Sequence, residues 1–139
     1  MKLYLAPLEG ITNHIYRKAL YECFGGFDKY FIPFIRAKQN LNFSGREKKD
    51  IDPENNQGMY AVPQILTRNA EDFLHTASQL AGLGYREINL NLGCPSKTVV
   101  TKGCGAGFLE RPDELERLLD YIFANTDLKI SIKTRLGMD

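Results

Sequence analysis

The alternation of short apolar runs with amphipathic helical patterns is the feature that most constrains the fold of this chain. Helical periodicity follows three of the runs, and Asn69 and Pro112 are suited to begin two of the predicted helices. Strands that alternate with helices predict an α/β fold with a parallel sheet, either open or closed into a barrel. The five predicted strands cover residues 2–7, 29–34, 60–66, 86–92 and 128–135.

Three local expectations accompany this pattern. In the helix predicted over residues 12–24, the apolar side chains recur on one face, and Cys23 is therefore predicted to be a core residue. Pro33 has no backbone N–H to donate and is expected near the end of the second strand rather than in its middle. Residues 36–58 are polar and are predicted to form a long loop, which is typical of a functional excursion.

Composition places the chain among ordinary globular proteins. Its 139 residues suffice for one modest domain, with 43% hydrophobic and 25% charged residues. The formal net charge of +1 neither predicts nor excludes a nucleic-acid partner. No segment approaches the length of a membrane span, so no membrane association is expected, and no metal site is predicted. The three cysteines form no CxxC pair, which favours free thiols in a cytoplasmic protein.

The fourth predicted strand carries two amides where a buried parallel strand is normally apolar. Because side chains alternate along a strand, Asn89 and Asn91 share one face. An unpaired buried amide costs about 1–3 kcal/mol, so both need partners. A structural hydrogen-bond network and ligand contact stay open for Asn89. Asn91 lies nearer the C-terminal end of the strand, where α/β folds bind ligands, and contact with a ligand is favoured.

Cys94 follows at once, in a turn between Gly93 and Pro95. Pro95 disfavours helical dihedrals at Cys94, which holds the thiol at the mouth of the sheet. A thiol can donate a proton or attack as a nucleophile, and the lack of a sequence-adjacent histidine favours proton donation. A role as a small buried hydrophobic residue is equally compatible with this position.

Two more polar residues end predicted strands at the same edge of the sheet. Gln64 can both donate and accept hydrogen bonds, as reading an amide-like ring edge requires. Lys133 lies among apolar residues, and its charge calls for an anionic ligand or a local carboxylate. Gln64, Lys133 and the Asn91–Cys94 segment converge from three strand ends, which predicts a binding site. The Gly-rich segment 102–108 could cradle a phosphate with its N–H groups, although a lid or plain connector is favoured.

Four motifs resemble those of the tRNA-dihydrouridine synthases. They occur in the order and at the spacing of that family and span nearly the whole chain, and the GCPS element with its Gly-rich follower is the most specific of them. The motifs are APLEGITN (6–13), VPQILT (62–67), INLNLGCPSKTVVTKGCGAGFL (88–109) and IKTRLG (132–137).

The resemblance implies a fold and an activity. Residues 1–139 would form the N-terminal part of an FMN-binding, parallel (β/α) TIM barrel, with about five of the eight strands. The remaining strands and a helical tRNA-binding domain would lie outside this chain. The implied reaction is reduction of the C5=C6 bond of a tRNA uridine, with NADPH as the reductant of FMN. A fragment with open barrel edges is expected to be inactive and to self-associate.

The resemblance also assigns residues to the cofactor. Pro7, Leu8 and Glu9 would lie along the flavin ring. Gln64 would hydrogen-bond the pyrimidine edge of that ring, and Lys133 would stabilise the reduced, anionic flavin.

Further residues are assigned to the substrate. Cys94 would donate a proton to C5 of the uridine. Asn91 would hold the target uracil, and Arg135 would lie near substrate or cofactor.

Two other functions stay open, as does the role of the long polar segment. One is an FMN-dependent dehydrogenase of free pyrimidines, and the other is a non-catalytic fragment that associates with itself. The basic residues of the polar segment would either contact tRNA phosphates or form a solvated surface, with equal weight for the two. They are Arg36, Lys38, Arg46, Lys48 and Lys49.

Overall fold

Five strands form one parallel sheet in this computed structural model, which describes residues 1–37 and 42–136. Each strand pairs with the next one along the chain, whereas a doubly wound sheet reverses its order at a switch point. The consecutive order therefore decides between the two architectures, and the described residues form an incomplete parallel (β/α) barrel, as predicted. The strands are β1 (Tyr4–Leu5), β2 (Lys29–Arg36), β3 (Ala61–Leu66), β4 (Glu87–Asn91) and β5 (Lys129–Lys133).

Helices connect the strands, and two of them begin where the sequence predicted. The Asn69 side chain accepts a hydrogen bond from the Asp72 N–H at 2.9 Å, and Pro112 occupies the first turn of its helix. The helices are α1 (His14–Cys23), α2 (Gly45–Ile51), α3 (Ala70–Gly82), α4 (Lys97–Val100) and α5 (Pro112–Ala124), with 3₁₀ turns at Pro53–Asn56 and Gly105–Phe108.

The hydrophobic core lies between the sheet and its covering helices. Ile88 and Leu90 of β4 are fully buried on the helix-facing side. The opposite, inner face of β4 carries Asn89 and Asn91, so that its polar residues face the barrel interior. The core residues contributed by α3 and α5 are Phe73, Ala77, Leu80, Leu118 and Ile122.

The predicted core face of the first helix is wrong. Cys23 is exposed, and Arg17 is the buried residue of α1. This helix packs against the 3₁₀ turn Pro53–Asn56, where Asn56 Oδ1 accepts a hydrogen bond from the Arg17 guanidinium. An apolar face read from periodicity therefore does not identify the packed face of α1.

Two further expectations need correction. Pro33 lies within β2, not at its end, and the pairing register with β3 shifts between Ile32 and Ile35. Such an irregularity accommodates a residue that cannot donate to the ladder. The polar segment after β2 contains α2, which begins with a reciprocal capping box between Ser44 and Glu47.

Within the described residues, no helix combines the length and apolar character needed to cross a bilayer.

Candidate functional site

Three amide side chains on the inner face form a continuous hydrogen-bonded chain. Asn91 Nδ2 donates to Gln64 Oε1 at 2.7 Å, and Gln64 Nε2 donates to Asn89 Oδ1 at 2.6 Å. Asn89 Nδ2 in turn donates to Ser131 Oγ at 2.9 Å. Gln64 is fully buried, so these bonds stabilise polar groups that would otherwise lose their hydration. The prediction that both asparagines have partners is confirmed.

Asn91 also fixes the turn that carries the cysteine. Its Oδ1 accepts the backbone N–H of Gly93 at 3.1 Å and that of Cys94 at 3.0 Å. The second N–H of the Asn91 amide has no acceptor among the described residues, because Nδ2 donates only to Gln64 there. Asn91 therefore positions Cys94 and keeps one donor that a ligand can use.

The Gly-rich segment packs directly on the Cys94 turn. The Ala106 N–H donates to the Cys94 carbonyl at 3.0 Å. A Cβ added at Gly105 would lie 2.8 Å from that carbonyl oxygen, which explains why this position, with φ of +56°, is glycine. The N–H groups of Gly103 and Gly107 donate to Val100 and Cys104 carbonyls. These N–H groups already donate to carbonyl oxygens close by in the chain and are not free for a phosphate, which favours a connecting segment over a phosphate-binding loop.

Lys133 and Pro7 line the same cavity on the inner face of the barrel. β5 pairs Lys133 with Asn91, and the Lys133 side chain is exposed. A cavity of about 290 Å³ opens here, and both Pro7 and Lys133 line it. Tyr4, Phe31 and Ile132 provide apolar walls of the same cavity. Three strands and the β1–α1 loop thus bring Gln64, Asn91, Lys133 and Pro7 into one region.

The other predicted residues lie elsewhere. The Leu8 side chain is exposed on a tight turn, in which the Leu8 N–H donates to Thr12 Oγ1 at 2.8 Å. Glu9 lines a separate cavity of about 210 Å³, together with Phe34 and Arg46. Arg135 is exposed after β5. The structure does not place these three beside Gln64 and Asn91.

The basic residues of the polar segment are divided in the structure. Arg46, Lys48 and Lys49 lie on α2, and Arg36 ends β2. Lys38 lies outside the described residues. Contact between α2 and RNA phosphates stays a prediction.

The interior contains a second polar cluster that sequence reasoning missed. Glu87 is buried at the N-terminal end of β4 and accepts hydrogen bonds from Lys29 Nζ at 2.7 Å and Tyr60 Oη at 3.0 Å. Lys129 lies 3.2 Å from the same carboxylate. Burial raises the pKa of Glu87, but hydrogen bonds from Lys29, Ser131, Tyr60 and Lys129 outweigh it and lower the pKa overall. The signal was present, since Glu87 continues the polar alternation of Asn89 and Asn91.

Comparison with known proteins identifies similar sequences over almost the whole chain. Residues 4–139 match the sequence profile of the family described as "Dihydrouridine synthase (Dus)". A probable tRNA-dihydrouridine synthase of Staphylococcus aureus (strain COL) is 33% identical over 136 residues, which cover 96% of this chain and 40% of that protein. A tRNA-dihydrouridine(16) synthase of Ralstonia nicotianae is 32% identical, covering 99% of this chain and 44% of that protein. The chain therefore spans about two fifths of the length of these relatives.

Proposed function

The chain belongs to the dihydrouridine synthase family, and from this premise we propose that the protein reduces the C5=C6 bond of a uridine in tRNA to give dihydrouridine. The observation that carries the proposal is the double role of Asn91, which bonds both Gln64 and the Cys94 backbone. This bond network joins an amide able to hold a uracil to a thiol able to donate a proton. The names of the relatives support tRNA as the substrate.

The inner-face cavity supports FMN as the cofactor. Tyr4, Pro7 and Phe31 offer apolar surfaces suited to a flat ring, and Lys133 offers a cation at the C-terminal edge. FMN supplies the hydride for C6 of the uridine when it is bound, and NADPH is the proposed reductant of the cofactor. Lys133 would stabilise negative charge on the ring. The contact of Gln64 with the pyrimidine edge stays a prediction, because the Gln64 side chain is fully buried and does not line this cavity. Leu8 and Glu9 do not line this cavity, so their contact with the ring stays a prediction of the resemblance.

Cys94 would act as the general acid. Addition of hydride at C6 develops negative charge across C5 and O4 of the uracil, and a proton delivered to C5 neutralises it. Asn91 holds the Cys94 backbone and would use its second N–H to hold the base, with Arg135 near substrate or cofactor. The uridine must leave its stack before its face can meet this site.

The decisive experiment is Cys94→Ala in the complete protein, assayed for dihydrouridine in unmodified tRNA. Loss of the proton donor should reduce the rate by about 10²–10⁴-fold, with tRNA affinity changed by less than about twofold. Cys23→Ala is the matched control, because Cys23 is an exposed thiol on α1, and it should keep the wild-type rate. A wild-type rate in Cys94→Ala would remove Cys94 from the mechanism.

The substrate class needs a separate measurement. The wild-type protein should act on tRNA and not on free uracil. Activity on the free base alone would instead favour a flavin dehydrogenase of free pyrimidines. Absence of flavin absorbance in the purified complete protein would favour a non-catalytic, self-associating role.

A further inference from the structure

Four cations from separate segments gather at the C-terminal edge of the sheet. Arg36 ends β2, Arg68 follows β3, and Lys102 and Arg111 flank the Gly-rich segment between α4 and α5. A Cβ added at Gly103 would lie 3.3 Å from Arg68 Nη1 and 3.6 Å from Arg111 Cζ. Two guanidinium groups therefore lie over the same glycine. We call Arg36, Arg68, Lys102 and Arg111 the rim cations.

Three of the rim cations lie close enough to Cys104 to affect the pKa of its thiol. Burial raises the pKa of the Cys104 thiol, whereas Arg68, Arg36 and Lys102 each act to lower it. Three positive charges are therefore close enough to favour the same thiolate. Arg36 is also held in place, because its guanidinium lies 5.5 Å from the centroid of the Phe34 ring.

The rim cations are poorly neutralised. Among residues 1–37 and 42–136, only Arg111 of the four forms an ion pair, with Glu114 at 3.6 Å, and both of these side chains are substantially exposed. At the N-terminal end of the barrel, by contrast, Lys29 and Lys129 share the buried carboxylate of Glu87. Converging like charges repel, so an arrangement of this kind favours a bound anion.

The position of the rim cations selects the source of that anion. None of the four lines the inner-face cavity that holds Pro7 and Lys133. Arg68 instead lies at a groove formed by α3 and α5 on the helix side of the sheet. The segment between Lys102 and Arg111 is nevertheless joined to the catalytic turn, since the Ala106 N–H donates to the Cys94 carbonyl. A strand of RNA that crosses this edge would therefore pass the segment that carries the cations and the turn that carries the thiol.

We propose that the rim cations bind backbone phosphates of the RNA strand that contains the target uridine. This inference rests on the proposed function, and it adds the surface that holds the strand beside Cys94. Phosphate neutralisation makes affinity depend on salt, so each lost contact lowers the slope of log affinity against log salt by about 0.7–0.9.

The test uses Arg68→Gln, Lys102→Gln and the double variant of the complete protein, with unmodified tRNA as the probe. Each single variant should bind tRNA several-fold more weakly, and the double variant should lose about 1.4–1.8 from the salt slope. Lys18→Gln is the control, because Lys18 is an exposed cation on α1 and should leave affinity and slope unchanged. FMN content should stay at the wild-type level in all variants.

The outcomes separate this inference from the proposed function. Wild-type tRNA affinity and slope in the double variant would overturn the inference, even if dihydrouridine still forms. Loss of FMN with normal tRNA binding would assign the cations to the phosphate of the cofactor and would also overturn it. A wild-type protein that binds tRNA through these cations but forms no dihydrouridine would overturn only the proposed function.

Discussion

Arg17 has no exposed surface, and its two terminal guanidinium nitrogens are held by groups from other parts of the chain, whereas the buried Nε has no partner among the described residues. It donates to the Thr12 carbonyl at 2.7 Å, to the Asp50 carbonyl at 2.6 Å and to Asn56 Oδ1 at 3.0 Å. Burial lowers the pKa of Arg17, and the nearby Asp50 carboxylate opposes that shift. Arg17 thereby joins α1 to the end of α2.

Replacing Arg17 should destabilise the protein strongly. Arg17→Met keeps much of the side-chain volume but leaves the buried Asp50 carboxylate without its cation, so the free energy of unfolding should fall by about 3–5 kcal/mol. Urea unfolding of the variant and of Lys18→Met, the exposed neighbour, measures the difference. Lys18→Met should change stability by less than about 1 kcal/mol. Equal unfolding midpoints for both variants would contradict the assigned role of Arg17.

Glu87 should make stability depend on acid pH. Its folded-state pKa is lowered from the ordinary value of 4.5, because hydrogen bonds to the carboxylate outweigh its burial. Its ionised form therefore stabilises the fold above about pH 4.5, and this contribution is lost as the pH falls through the folded-state pKa.

The comparison of wild type with Glu87→Gln isolates that contribution. The difference in unfolding free energy should be largest at neutral pH and should shrink below about pH 4.5. Urea unfolding at several pH values provides the measurement. A difference that stays constant, or grows in acid, would show that the carboxylate charge does not stabilise the fold.

Residue positions could be predicted from the sequence where the strand pattern alone fixes them. The sequence predicts that Gln64 and Asn91 lie on one edge of the sheet, because both lie near the ends of buried strands. In the structure a hydrogen bond of 2.7 Å joins the two side chains. Arg17 could not be predicted in this way, because Asp50 and Asn56 lie more than thirty positions away in sequence. The prediction that Cys23 is a core residue is wrong for the same reason, because α1 packs against a polar turn rather than against the sheet.

At the scale of elements, capping residues in the sequence correctly predict where two of the helices begin. Asn69 and Pro112 began helices as predicted, because their capping chemistry is local. The same logic would have found α2, since Ser44 and Glu47 have the spacing of a capping box. The sequence predicts a loop there because the segment after β2 is mostly polar.

The contact between the Gly-rich segment and the Cys94 turn yields an element-scale prediction. In Gly105→Ala, the new Cβ would lie 2.8 Å from both the Cys94 carbonyl oxygen and Val99 Cγ1, and φ is +56°. The turn must move, and displacement of a catalytic group by about 1 Å can reduce a rate by about 10²-fold. Dihydrouridine formation should therefore fall at least tenfold.

A second glycine provides the control for this change. A Cβ added at Gly82, the last residue of α3, would meet nothing within 4 Å. Gly82→Ala should therefore keep the wild-type rate and change stability by no more than about 1 kcal/mol. Equal rates for the two alanine variants would show that the segment does not position Cys94.

At the scale of the whole molecule, the strand order determines the surface that the chain leaves open. β1 and β5 are the two edges of the described sheet, and each has unpaired backbone groups there. Apolar side chains near these edges are substantially exposed, including Tyr4 at 48% and Ile132 at 40%. The barrel architecture followed from the resemblance and from the strand order, because periodicity alone fits open and closed sheets equally.

The 139-residue chain should therefore self-associate when it is prepared alone. Light scattering should give a mass above that of the monomer, and Ile132→Lys should reduce it by placing a charge beside the open edge. Phe24→Lys, at an exposed apolar residue just after α1, should leave the mass unchanged. A monomeric chain carrying one FMN per molecule would contradict the expected exposure of the barrel interior.

The bonds that start at the Cys94 turn all run with the same polarity. The peptide N–H of Cys94 can only donate, so Asn91 must turn its oxygen toward it, which forces the orientation of Gln64 and then of Asn89. Ser131 Oγ receives the last amide hydrogen, which completes the series. A backbone turn at one end of the barrel thus dictates which way the three side-chain amide dipoles point, and their common alignment is fixed by the chain itself.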